Sequence, residues 1–452
     1  MKDYIHQFAK SRGLTLTGLA NALDYASPTS LFRLMHANVR KKSIQDFLQR
    51  MTSCLNLTDQ ERDALYFAVD RKLEGEIYAR QNRSVRRFMS VASPEAPPLL
   101  LLQQDGTPLD AAFFAEDPAR WRFTLVNACS PPVIQFFAPL VEHGAQMDHY
   151  FLHPLDMDLA KAAMPVLFHH NYRPWRLTNI NPVNGLSAAD LAFFTNGETS
   201  GYMIFTDPTH AVCFDGVFPW TPDQRLYQPT RKLTAPARFL SDYPNFCRYC
   251  ASLEEDNDIY LLKPDVHYSC IPGNIFRRAL LCGPLKDDPT VPAILDTLTD
   301  IFNDRHKHFF SRRQHVWLVM KYGAMLEFIQ TGCLCDHFVG FSPFTPEERR
   351  TILANCLRQM QHNPYIHFFF LKNDDSVPDI ELDLYEAHGL LLQNPHTTYN
   401  LSDGVAEEIL IDSPIIMRQW RDYFMNTIVR ERCMTAQESI EHMEILLELC
   451  PK

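Results

Sequence analysis

Apolar residues recur at helical spacing in two short groups near the start of the chain, within TLTGLANALDYASPTSLFRLMHANVRKK (residues 15–42). Leu19, Ala20 and Leu23 fall on one face of a helix opening at Thr15 or Thr17, and Leu31, Leu34 and Met35 on one face of a second. Asp24, Tyr25 and Ala26 make the turn between them. Ser27-Pro28 is a helix start: the hydroxyl accepts from a first-turn N–H, and proline suits the first position, which needs no N–H. With the apolar side chains turned inward, Thr29, Ser30, Arg33 and His36 are left on the outer face. Asn38, Arg40, Lys41 and Lys42 lie just beyond. Short hydroxyls and an arginine at an exposed helix start suit base edges in a major groove, and the following cations suit phosphate. The plain alternative for Arg33 is a surface charge paired with Asp24 or Asp46.

The helical pattern continues through KKSIQDFLQRMTSCLNL, then through Leu65, Val69 and Leu73 behind a capping box at Thr58-Asp59-Gln60-Glu61. Arg80, Arg83, Arg86 and Arg87 follow, equally readable as an arm along phosphates or as a helix end complementing its dipole. ASPEAPP (92–98) breaks the helix and marks a linker.

Beyond it the pattern changes. RFTLVNAC (122–129) reads as a strand, 131–143 as a helix, 147–152 as a strand and 159–170 as a helix. Segments 202–205 and 211–214 pair as a hairpin across Asp207-Pro208-Thr209-His210. Between 286 and 332, Val291, Leu295, Leu298 and Phe302 form one helical stripe, and Val316, Val319, Tyr322, Leu326 and Ile329 another. Thr345-Pro346-Glu347-Glu348 is a capping box with proline at the first position. YIHFFFLK (365–372) is a buried strand. Shorter strands at 380–385, 389–392 and 408–411 precede a helix at 414–429. The second part echoes the element order of the first, with no repeat visible in the residues.

The stretch LTLTGLANALDYASPTSLFRLMHANVR, extended by KKSIQDFLQRMTSCLNL, resembles the Cro-like (xenobiotic-response-element) helix-turn-helix family over about the first seventy residues. Two features depart from it: Asp24 stands where the family usually has glycine, and the spacing between Ala20 and Leu31 is one residue longer. Aspartate visits the left-handed region at modest cost, so the turn stays feasible. The resemblance implies binding to double-stranded DNA as a homodimer on two half-sites. The strand–helix rhythm after residue 118 is similar to the phospholipase-D-like sensor domains of some bacterial regulators. It lacks that family's H-x-K-x4-D, since His210 is followed two residues on by Val212, which implies a non-catalytic fold.

Charge sharpens the division. Residues 1–90 hold fifteen Lys and Arg against nine Asp and Glu, a net of +6, so the remainder carries −17 of the total −11. A basic head on an acidic body is expected where only the head meets phosphate. The twelve cysteines, mostly inside apolar stretches, read as reduced thiols of a cytoplasmic protein. No apolar run reaches transmembrane length, and the N-terminus carries no signal-peptide pattern. Cys247-x-x-Cys250 and Cys333-x-Cys335-Asp336-His337 are the nearest approach to a metal set. The first pair falls on the apolar face of a helix at 237–253, so packing is the expected role. Glycine loops of nucleotide-binding type and hydrolase motifs are absent.

The sequence therefore predicts a multidomain α+β or α/β chain. Residues 1–90 are an all-α helix-turn-helix bundle, 91–117 a linker, 118–284 an α/β sensor domain, and 285–452 a helical plus α/β domain. The expected function is that of a bacterial transcription regulator whose body senses a small-molecule effector or mediates dimerisation, with no metal, cofactor or catalytic residue. Two rivals stay open: an enzyme acting in the body, and an interaction scaffold that uses the head for docking.

Overall fold

Short helices whose apolar stripes meet in one core build the first unit, Met1–Ser90; the second unit is Val91–Lys452. The computed structural model describes residues 1–36, 39–89, 97–152, 157–177, 190–216, 226–233, 240–335, 340–377, 381–393 and 408–451. The first unit runs α1 (Lys2–Ser11), α2 (Leu16–Ala22), α3 (Thr29–His36), α4 (Lys41–Cys54), α5 (Asp59–Glu74) and α6 (Glu76–Phe88). Ile5 of α1, Leu19 of α2, Leu31 of α3, Phe47 of α4 and Leu65 of α5 are all completely buried in one cluster. Thr15 caps α2 by accepting from Gly18 N–H at 3.0 Å, and Thr58 and Glu61 form the capping box of α5. Gly75, at φ +96°, takes a conformation closed to most residues and turns α5 into α6.

The second unit holds two mixed sheets. The first half runs β1 (Leu100–Leu102), α7 (Ala112–Ala115), β2 (Arg122–Val126), α8 (Pro131–Glu142), β3 (Gln146–Phe151), α9 (Met157–Leu167) and β4 (Tyr172–Leu177). It continues through β5 (Leu191–Thr195), β6 (Ser200–Asp207), β7 (His210–Asp215) and β8 (Tyr227–Pro229). The second half runs β9 (Arg231–Leu233), α10 (Tyr243–Leu253), β10 (Ile259–Leu262), α11 (Gly273–Leu281), α12 (Val291–Ser311), β11 (Val316–Met320), α13 (Tyr322–Thr331) and α14 (Pro346–His362). Then come β12 (Ile366–Phe370), β13 (Leu382–Tyr385), β14 (Gly389–Gln393), β15 (Glu408–Ile411), α15 (Pro414–Tyr423) and α16 (Ala436–Leu449).

Among the described residues the sheets share one topology. The first is ordered β1-β7-β6-β5-β2-β3-β4-β8 and the second β12-β11-β10-β13-β14-β15-β9. Reversing the second aligns β15-β14-β13-β10-β11-β12 with β7-β6-β5-β2-β3-β4. In each, three parallel strands continue into three antiparallel ones. The body is thus one architecture used twice, although no residue-level repeat marks it. Thr230 joins the sheets: its N–H donates to the Pro174 carbonyl and its own carbonyl accepts from Asp412 N–H.

The second sheet is covered on both faces. Ile259 and Leu261 face the core under α10–α14 and α16, while Tyr260 turns the other way and meets Phe424, just past α15, at 5.8 Å between rings. Strands buried on both faces lose polar alternation, which is why β10 reads simply IYLL.

Several boundaries differ from the sequence reading. The stretch taken as a linker carries β1 and α7, and Phe114 is completely buried against Trp121, Phe123 and Phe194; positions 91–96 lie outside the described residues. A division at 284/285 would separate α11 from α12, which pack together: a Cβ on Gly273 would stand 2.3 Å from the Thr299 carbonyl. The second half instead begins at β9. Val316 and Val319, expected on a helical stripe, lie in β11, and the helix expected through 429 widens after Tyr423 into a π-helix, Phe424–Arg432. No helix among the described residues is long and apolar enough to cross a membrane.

Candidate nucleic-acid interface

The turn between α2 and α3 rests on Asp24, whose φ of +54° places it in the left-handed region. Its energetic cost is met by Arg50 of α4. Nη1 of that guanidinium donates to the carbonyls of Leu23 (3.0 Å) and Asp24 (2.6 Å), while Nε donates to the Asp46 carboxylate (3.1 Å). The same group lies 4.7 Å from the centre of the Tyr25 ring. Burial, and then the Asp46 charge, push the Tyr25 hydroxyl up to about 12, so it stays protonated and donates to Asp46 at 3.3 Å. One arginine thus holds two carbonyls at the turn and contacts the aromatic ring after it.

Helix α3 starts at Thr29, with the Pro28 carbonyl already accepting from Phe32 N–H at 3.0 Å. Leu31, Leu34 and Met35 are buried beneath it. Thr29, Arg33 and His36 are exposed and Ser30 half-buried. The side chains of Thr29, Ser30 and Arg33 have no hydrogen bond or ion pair to a described residue. Asp24 and Asp46, the candidate partners for Arg33, are instead taken by Arg50. Phe32 is 57% exposed on the same helix and its ring packs against His36, 4.5 Å between centres. Phe32 escaped the sequence reading because an apolar side chain inside an apolar run looks like core; its position, three residues after Thr29 on the polar face, was the available signal.

The cations beyond α3 divide. Arg40 and Lys42 are exposed and have no partner among the described residues. Lys41 is ion-paired with Glu74 of α5 at 2.9 Å, with both side chains nearly half exposed. Such a pair contributes at most about 1 kcal/mol and exchanges readily for phosphate. Asn38 lies outside the described residues.

The basic tail of α6 is ion-paired within the unit. Arg83 and Arg87 reach Asp63, Arg86 reaches Asp70 at 2.5 Å, and Arg80 reaches Glu76. Arg83 and Arg86 also lie over the rings of Phe67 and Tyr66. Arg83, Arg86 and Arg87 tie α6 to α5, whereas the Arg80 pair lies within α6 and, like that of Arg87, is as exposed as the Lys41 pair.

In the body, Cys247 and Cys250 are buried on α10, and burial pushes the Cys247 thiol up to about 12. A thiol held protonated in this way is a packing group. Asp336 and His337 of the second cysteine cluster lie outside the described residues. No protein-family model matches the chain, and no curated protein does.

Proposed function

We propose that the chain is a DNA-binding transcription regulator of the bacterial cytoplasm. Its head reads a site in double-stranded DNA, and its body senses a small-molecule effector and joins two copies as a homodimer. The observation that carries this reading is the outer face of α3 together with the start of α4. Thr29, Ser30 and Arg33 have no side-chain partner among the described residues and stand above a buried apolar face, and Arg40 and Lys42 likewise have none at the start of α4. Thr29, Ser30, Arg33 and His36 are assigned to base edges, and Arg40, Lys41 and Lys42 to phosphate. The +6 head on a −17 body supports the same division, because the body's charge opposes DNA contact elsewhere.

Selection of bound fragments from a random duplex pool by the full chain tests the reading. A two-fold-symmetric sequence should be enriched. No enrichment at any ionic strength, with or without cell extract as a source of effector, would refute it.

A further inference from the structure

The core face of the second sheet and helices α10 and α12 enclose a cavity of about 50 Å³. At roughly 10–15 Å³ for each water-sized group, that is room for about four such groups. Phe246, Tyr268 and Tyr385 supply aromatic wall, and Lys263, Asp383 and Glu408 supply charge. Asp383 projects from β13 and is 3% exposed; Lys263 directly follows the end of β10.

The charged groups on its wall decide what this cavity accepts. The Lys263 ammonium is held by Glu381 and by Asp383 Oδ2, the latter at 3.1 Å. Arg305, the other cation on the wall, is engaged by Glu254, whose Oε1 accepts from Nε at 2.8 Å and from Nη2 at 2.5 Å. Glu254 also accepts from the Ser269 hydroxyl at 2.8 Å. Burial, reinforced by Arg305 and Lys263, holds His267 neutral. Lys263 and Arg305, the described cations that line the cavity, are thus each already engaged by a carboxylate. The Oδ1 atom of Asp383 is buried and has no hydrogen-bond partner among the described residues. A buried carboxylate oxygen left this way costs several kcal/mol unless a proton or a cation meets it. Burial pushes Asp383 up to about 6 despite the neighbouring ammonium, consistent with a site that attracts positive charge.

We propose that this cavity binds the ammonium or guanidinium head of a small organic cation, with Asp383 Oδ1 accepting from it and the aromatic wall facing its charge. Aromatic rings favour such cations by about 0.5–2 kcal/mol each. An anion is opposed, because both wall cations are already neutralised. A bare divalent metal is opposed too: no group of three His, Cys, Asp or Glu among the described residues is placed to hold one. As the effector class of the body, the cation rests on the regulator reading; as a binding site, it does not.

The test needs no DNA, so either reading can fail alone. Saturation-transfer NMR on the full chain would use methylammonium and methylguanidinium, with acetate and inorganic phosphate as anionic controls. At a ceiling of about 1.5 kcal/mol per non-hydrogen atom, methylammonium binds in the millimolar range at best and methylguanidinium in the micromolar range. At least one cation should bind saturably, and Asp383→Asn should weaken it at least about tenfold; neither anion should bind. Glu408→Gln supplies the same comparison should Asp383→Asn lose its circular-dichroism signature. Absence of cation binding up to about 50 mM, equal binding to the folded variants, or anion binding as tight as cation binding would overturn the proposal.

Discussion

Replacing Arg50 by alanine should loosen the helix-turn-helix without touching its outer face. The guanidinium makes two hydrogen bonds to turn carbonyls, one ion pair to Asp46 four residues earlier, and one contact with the Tyr25 ring. Hydrogen bonds from a charged donor contribute about 1.5–3 kcal/mol each when buried. The Arg50 side chain is 32% exposed, so water recovers part of each, leaving about 1 kcal/mol apiece. The exposed pair adds about 0.3–0.5 kcal/mol and the ring contact about 0.5 kcal/mol. Rehydration of the freed carbonyls brings the net to about 2 kcal/mol, or about 30-fold in an opening equilibrium. Hydrogen exchange on the full chain reads this directly. Peptides covering α2 and α3 should exchange about 30-fold faster in Arg50→Ala, while peptides of the body do not change. Arg50→Lys should recover less than half, because an ammonium lacks the planar fork that reaches both carbonyls and Asp46. Acceleration below about threefold, or equal acceleration by Arg33→Ala, would refute the role given to Arg50.

Asp24→Gly should stabilise the first unit by about 0.5–1 kcal/mol, since glycine takes positive φ without strain and Asp24's exposed carboxylate lies 3.8 Å from Arg50; slower exchange of α2 amides would show it, and faster exchange would contradict it. His149 is fully buried in β3, its Nδ1 3.0 Å from the Tyr172 hydroxyl, and burial lowers it to about 3. Its folded pKa lies below the unfolded value of about 6.5, so its contribution is fully present above that pH and declines by about 1.4 kcal/mol per unit as pH falls toward 3. Urea unfolding followed by tryptophan fluorescence, which reports only the body, should therefore show wild type losing stability relative to His149→Gln below pH ~6; a constant difference would be incompatible with a buried neutral imidazole. Arg305→Leu strips Glu254 of its partner and should cost about 3–5 kcal/mol in the same assay, with much of the loss recovered by adding Glu254→Gln; additive losses in the double variant would show that the two do not act as a pair.

How much could be read from residues alone varies along the chain for physical reasons. In the head the signal is local: Leu19, Leu31 and Met35 declare their faces by spacing, and Asp24 declares a left-handed turn by its chemistry. The Arg50 clamp was not legible, because its acceptors are main-chain carbonyls brought near only when α4 packs on the turn. In the body, the hairpin β6–β7 alternates and was read, whereas β10 and β11 are short all-apolar runs that do not distinguish strand from helix. The shared topology of the halves left no trace in the residues, since strand order is set by which faces are covered. The cavity is assembled from positions between 243 and 408, so no local spacing reveals it. One trace existed: Asp383 is a charge inside LDLY, a strand buried along its whole length.

The most direct measurement is a titration of wild type, Arg33→Ala and Lys42→Ala on a selected duplex and on its scrambled counterpart, at two salt concentrations. Arg33→Ala should lose about 1–3 kcal/mol on the selected duplex alone, a bidentate contact to guanine being worth that much, and should relax preference at one or two positions. Lys42→Ala should weaken both duplexes alike and lower the salt slope by about one. Equal, sequence-independent losses in the two variants would contradict the division of α3 and α4 into base and phosphate contacts. Equal wild-type affinity for both duplexes would contradict sequence-specific DNA binding itself.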